Sequence, residues 1–235
     1  LSQNFGSLGP ATAYSFDVRA CNSAGCSSYS TTRSCSSAAG VPSVPSPPSC
    51  TTNSATSVDF TWTAPASNGA AINRYDTQRG GSNTVNVGTA LAGGYTGLVP
   101  DTNYGITVRA CNSVGCSAYS GSTSCTTADS APNTPAMPTC GTLTSTSISF
   151  NWVAPDDNGR TISQYQTQRA TSNDQTTLGT ASSDTFGSLL PATSHSFRVR
   201  ACNNLGCSGW SGGRTCTTSD AAPYKMAPPS CATTT

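Results

Sequence analysis

Tyr104-Gly105-Ile106-Thr107-Val108-Arg109-Ala110 alternates in polarity and runs into Cys111-Asn112-Ser113-Val114-Gly115-Cys116. The alternation has the period of a half-buried strand. The four residues between the cysteines turn the chain, which returns along Cys116 to Cys125. Inward positions on the outgoing strand are Tyr104, Ile106, Val108 and Ala110, which puts Cys111 on the outer face. Two cysteines flanking so tight a hairpin can reach the Cβ separation of roughly 3.5–4.5 Å that a disulfide needs. The spacing therefore predicts a Cys111–Cys116 bridge.

The same motif occurs three times. Cys21, Cys26, Cys35 and Cys50 are separated by 5, 9 and 15 positions; Cys111, Cys116, Cys125 and Cys140 repeat those gaps, as do Cys202, Cys207, Cys216 and Cys231. Equivalent cysteines lie 90 and then 91 residues apart, and all 12 belong to this register. A fixed period marks an array of copies of one unit, here domain-sized rather than solenoidal. Hairpin bridges Cys21–Cys26 and Cys202–Cys207 follow by repetition. Complete pairing without histidine clusters reads as disulfides made in an oxidising compartment, so the chain is expected outside the cell or on its surface. Zinc is disfavoured, because the gaps do not match paired Cys-x-x-Cys or Cys-His ligands and the single histidine, His195, lies outside the motif.

Further strands follow the same alternation. Ser57-Val58-Asp59-Phe60-Thr61-Trp62 recurs as Ser147-Ile148-Ser149-Phe150-Asn151-Trp152. The turn cluster Ala64-Pro65-Ala66-Ser67-Asn68-Gly69 recurs as Ala154-Pro155-Asp156-Asp157-Asn158-Gly159, and Ile72 and Tyr75 recur as Ile162 and Tyr165. Helical periodicity is absent. Short alternating strands in a unit of this size indicate an all-β sandwich.

Against that background, the early tryptophan, the Leu-x-Pro-x-Thr-x-Tyr stretch and the strand ending Arg-Ala-x-Asn-x-x-Gly resemble a fibronectin type III domain. The stretch stands as Leu8 to Tyr14 and as Leu98 to Tyr104; in the third copy it runs from Leu189 to His195, departing at the tyrosine. The resemblance implies an immunoglobulin-like fold of seven strands in two sheets, repeated in tandem. By it, residues 1–38 are the C-terminal part of one domain. Residues 45–128 and 136–219 are complete domains, and 226–235 begin another. The chain thus opens midway through a copy and is expected to be a fragment. The short Pro-rich joints, such as Val44-Pro45-Ser46-Pro47-Pro48-Ser49, read as stiff polyproline-like linkers.

Pairing of the remaining cysteines stays open on spacing alone. Cys125–Cys140 would lock a joint, whereas Cys50–Cys125 and Cys140–Cys216 would close each sandwich. The family pattern places inward aliphatic residues at these sites, which implies the second scheme and leaves Cys35 and Cys231 to partners outside the chain.

Composition and the remaining motifs limit function. Charged residues are 9 %, the formal net charge is +1, and serine and threonine make up roughly a third. No basic stripe suits nucleic acid, and no apolar run approaches the ~20 residues of a membrane span. No Asn-x-Ser/Thr acceptor occurs, so any sugar is expected to be O-linked. There is no nucleophile–base pair, no phosphate loop and no recurring acidic pair, so neither an enzyme nor a cofactor is expected. Asp156 and Asp157 read as a solvated turn rather than a calcium site. Trp62 and Trp152 read as core and His195 as packing. Tyr29, Tyr119 and Trp210 lie beside the hairpins, where they can stack on arginine or contact a partner.

The resulting expectation is a non-enzymatic structural stretch of an extracellular filament, appendage or matrix, in the style of algal flagellar hairs (mastigonemes). Its partners would be sister copies or other extracellular structural proteins. An adhesion or receptor ectodomain, and a spacer or carbohydrate-binding accessory of a secreted enzyme, are the rivals.

Overall fold

The computed structural model of the chain describes residues 2–169 and 175–223; the expected start of a further domain at 226–235, with Cys231, lies outside the described residues. The chain divides into two compact units, residues 1–128 and 129–235. It is all-β, with no helix among the described residues.

In the first copy, β1 (Ala13–Phe16) pairs antiparallel with β4 (Arg33–Ser36), and β2 (Cys21–Asn22) and β3 (Gly25–Cys26) form the hairpin tip. The middle copy is a full sandwich. One sheet orders β5 (Ser49–Asn53), β6 (Ser57–Thr61) and β9 (Ala92–Thr96). The other orders β11 (Thr123–Thr126), β10 (Asn103–Cys111), β7 (Arg74–Arg79) and β8 (Ser82–Asn86).

The second unit repeats this arrangement. β12 (Thr139–Leu143), β13 (Ile148–Asn151) and β16 (Ser183–Phe186) make one sheet. In the other, β17 (Ser194–Asn203) lies between β14 (Gln164–Arg169) and β19 (Arg214–Thr217), β15 (Gln175–Leu178) flanks β14, and β18 (Gly206–Cys207) closes the hairpin.

Period-two alternation explains both cores. Val58, Phe60 and Trp62 from one sheet meet Tyr75, Ile106, Val108 and Ala110 from the other. Ile148, Phe150 and Trp152 meet Tyr165, Phe197, Val199 and Ala201. The tryptophans pack edge-on against Tyr75 and Tyr165, with centroids 5.5 and 5.3 Å apart, within the preferred aromatic range.

The return limb of the hairpin differs from a regular strand. Between Cys116 and Thr123 the chain meets β10 every third residue: Ser117 N donates to Ala110 O and Ser120 N to Val108 O. The same two serines accept through Oγ from Ala110 N (3.2 Å) and Val108 N (3.1 Å). Side-chain oxygens thus satisfy buried amides that a regular ladder would have paired. Ser208 and Ser211 repeat the device on Ala201 and Val199.

Candidate functional site

Among the described residues no cleft gathers catalytic groups; what recurs in both complete domains is a clasp between the hairpin and the linker that precedes the domain. It starts from a proline every third residue. Pro42, Pro45 and Pro48 are buried while the residues between them are exposed, and Pro132, Pro135 and Pro138 repeat the pattern. A polyproline II helix has three residues per turn, so such spacing turns one proline face inward along the domain.

The hairpin carries the other half. Asn112, buried just after Cys111, donates through Nδ2 to Gly40 O (2.8 Å), Ser67 O (3.1 Å) and Ala70 O (3.3 Å). Its Oδ1 accepts from Val114 N and Gly115 N, fixing the hairpin tip. Asn203 repeats this on Ser130 O (2.8 Å), Arg160 O (3.1 Å) and Asp157 O (3.4 Å). From the opposite side, Asn68 Nδ2 donates to Val41 O at 2.7 Å and Asn158 Nδ2 to Ala131 O at 2.7 Å. Backbone bonds Gly40 N to Asn68 O, Ser43 N to Ala66 O, Ser130 N to Asn158 O and Asn133 N to Asp156 O complete the seam.

Close approach explains the glycines. A Cβ at Gly115 would stand 3.0 Å from Val41 Cγ1. Gly69 has φ +92° and a Cβ there would collide with Ala11, so this turn needs glycine twice over. Asp156 and Asp157 cap the equivalent turn, accepting from Asn158 N (2.9 Å) and Gly159 N (3.1 Å).

Disulfides frame the clasp. Cys111–Cys116, Cys21–Cys26 and Cys202–Cys207 bridge the three hairpins, each with Cα atoms 4.0 Å apart. Cys50–Cys125 and Cys140–Cys216 join the two sheets within their own domains, so neither Cys125 nor Cys140 reaches across a joint. Cys35 is exposed and has no disulfide partner among the described residues. Cys111 sits on the outer side of β10 yet is only 1 % exposed, because Asp76 lies over it. Asp76, Cys111 and Cys116 present atoms close enough for a metal. The two sulfurs are bonded to each other, however, and Arg74 (3.3 Å) and Arg109 (2.9 Å) hold the carboxylate.

Tyr29, Tyr119 and Trp210 each carry an arginine over the ring: Arg19 at 4.8 Å, Arg109 at 4.8 Å and Arg200 at 4.6 Å. Tyr29 is 56 % exposed, and the other two are half-buried. The tyrosine corner forms where its residue is present: Tyr14 OH accepts from Gly9 N (2.7 Å) and Tyr104 OH from Val99 N (3.0 Å). His195, in the same slot, has its buried Nε2 without a hydrogen-bond partner among the described residues.

The asparagine hubs, the bridging serines and the inward prolines carry no role in the residue-by-residue reading above. A signal was present for all three: Arg-Ala-Cys-Asn, Cys-Ser-x-aromatic-Ser and Pro-x-x-Pro-x-x-Pro recur in register.

Two antiparallel two-sheet sandwiches in sequence, the first with a tyrosine corner at Tyr104, define an array of fibronectin type III domains, and the sequence comparisons agree. The fibronectin type III domain model matches residues 43–126 and 133–217, and the chain belongs to this family. It is 31 % identical over 222 residues to mouse fibronectin type-III domain-containing protein 3A, covering 88 % of this chain and 18 % of that protein. It is 34 % identical over 215 residues to exoglucanase B of Cellulomonas fimi, covering 85 % and 19 %. Human usherin matches at 30 % over 162 residues, covering 68 % and 3 %. The chain thus spans less than a fifth of the length of each of these relatives.

Proposed function

We propose that this chain is a non-enzymatic structural repeat segment of an extracellular protein, one that forms or decorates a filament, appendage or matrix in the mastigoneme style. The recurring linker clasp carries the reading. Each linker is bonded along its length to the domain that follows it, which suits a load-bearing joint better than a free hinge. Repetition serves architecture here, because the positions shared by the copies are cysteines, core residues and clasp residues. The hydroxyl-rich surface would meet sister copies, other structural proteins or O-linked sugars.

Negative-stain electron microscopy at rising concentration tests this. Polymers or straight rods with narrowly distributed joint angles are expected. Freely jointed particles that stay monomeric at high concentration would refute it. The match to exoglucanase B favours one second reading, a spacer in a secreted enzyme. A catalytic domain encoded in the same open reading frame would decide for that.

A further inference from the structure

The outer face of the β15–β14–β17 sheet presents two arginines that have no ion-pair partner among the described residues. Arg198 and Arg200 are two positions apart on β17, a spacing of roughly 6.6 Å along a strand. Their cross-strand neighbours are Gln168 and Gln166, and beyond them on β15 stand Gln175 and Thr177. Arg200 Nε donates to Gln166 Oε1 at 2.7 Å; Arg198 Nε and Nη2 donate to Gln168 Oε1 at 2.9 and 2.7 Å. The Trp210 ring lies 4.6 Å from Arg200 Cζ and 5.1 Å from Arg198 Cζ. A stacked ring and a neutral amide oxygen fix each guanidinium without cancelling its charge. Four of the five N–H groups of Arg200, and three of those of Arg198, have no partner among the described residues.

The other copies supply a built-in comparison. In the middle domain Asp76 replaces Gln166 and takes Arg109 Nε (3.0 Å) and Nη2 (2.9 Å) as well as Arg74, while Thr107 replaces Arg198. The first copy has Asp17 at the Arg198 position. Only the third copy keeps the aromatic–arginine stack while doubling the cation and removing the carboxylate.

We propose that Arg198 and Arg200, held by Trp210, Gln166 and Gln168, form a binding site for an acidic polysaccharide whose sulfate or carboxylate groups bridge the two guanidiniums. Charge-assisted, forked hydrogen bonds to such oxoanions are what guanidinium geometry favours. The flanking amides and hydroxyls of Gln175 and Thr177 match sugar hydroxyls. Two cations on a nearly neutral chain are too few for nucleic acid, whose binding rests on many phosphate contacts.

The test titrates the whole chain with heparin, polygalacturonate, neutral dextran and polyglutamate at low ionic strength by calorimetry. The chain is expected to bind one or both acidic polysaccharides and not dextran, with salt weakening the binding. Heparin against polygalacturonate separates sulfate from carboxylate recognition. Gln166→Asp and Arg198→Thr each install the middle domain's own residue, and each should weaken binding about tenfold or more with thermal unfolding unchanged. Should Gln166→Asp destabilise the domain, Arg198→Thr and the reciprocal pair Asp76→Gln/Thr107→Arg carry the test, the latter by adding a second site. Variants that bind like the parent, no binding to either polysaccharide, or equal affinity for polyglutamate would overturn the proposal and leave the filament reading untouched.

Discussion

His195 and Tyr104 occupy one slot in two copies, and only the tyrosine brings a hydroxyl to it. Tyr104 OH accepts a backbone N–H, whereas His195 Nε2 is buried with no hydrogen-bond partner among the described residues. Burial first, and the Arg169 charge second, hold the His195 pKa below its ordinary value. The folded domain therefore binds this proton less readily than the unfolded chain. The third domain is fully stabilised above about pH 6.5 and loses stability as the pH falls below that value. His195→Tyr should remove this acid limb and add about 1 kcal/mol by restoring the corner hydrogen bond to Leu190 N. Urea denaturation at about pH 7.5 and about pH 5.5 checks both expectations; an unchanged pH slope would disprove the assignment. Asn203 makes the complementary case. Asn203→Ala strips one donor from three carbonyls and should cost about 2 kcal/mol. Asn203→Asp should cost more, by facing those carbonyls with carboxylate oxygen. Faster hydrogen exchange at Ser130 and Asn133 would show that the linker is what comes loose.

At the scale of elements, the two kinds of disulfide do different work. Cys50–Cys125 closes a long loop and constrains the unfolded chain by about 4 kcal/mol; Cys111–Cys116 closes a short one and contributes about 2 kcal/mol. Removing the first pair by Cys→Ala substitution should lower the middle domain's denaturation midpoint strongly without disturbing the hairpin. Removing the second should lower it less and raise exchange at Asn112 to Gly115; equal losses would contradict the loop argument. The sequence made β10 and its hairpin readable, because period-two alternation ends at a cysteine that another must meet within four residues. The linker was readable only as stiff. Its docking depends on carbonyls of Gly40 and Ser67 converging on an asparagine some 72 and 45 residues away, which local pattern does not reveal. The return limb was readable as extended but not as a three-residue register, because serine Oγ atoms there replace backbone partners. The aromatic–arginine stacks were readable from register on adjacent strands. The exchange of Asp76 for Gln166 opposite that arginine was visible as letters but had no meaning until the strands were paired.

For the molecule as a whole, the disulfides and the compartment form one argument. Each complete domain holds one long and one short bridge, together about 6 kcal/mol by loop entropy, against the 5–15 kcal/mol that a domain of this size usually commands. The cores are aromatic and well packed, yet the surface is hydroxyl-rich and nearly uncharged, so partly folded chains would repel one another weakly. Folding in a reducing compartment should therefore leave the domains marginal and prone to associate, whereas an oxidising one should yield a stable chain. Expression in a reducing bacterial cytosol and in an oxidising secretory route, followed by alkylation of the native protein, distinguishes the outcomes. In secreted material Cys35 should react, while Cys21, Cys26, Cys50, Cys111, Cys116, Cys125, Cys140, Cys202, Cys207 and Cys216 should stay blocked. Equal yield and equal denaturation midpoints from the reducing route, with those ten thiols open, would mean that the cores suffice alone and would remove the physical ground for placing this array outside the cell.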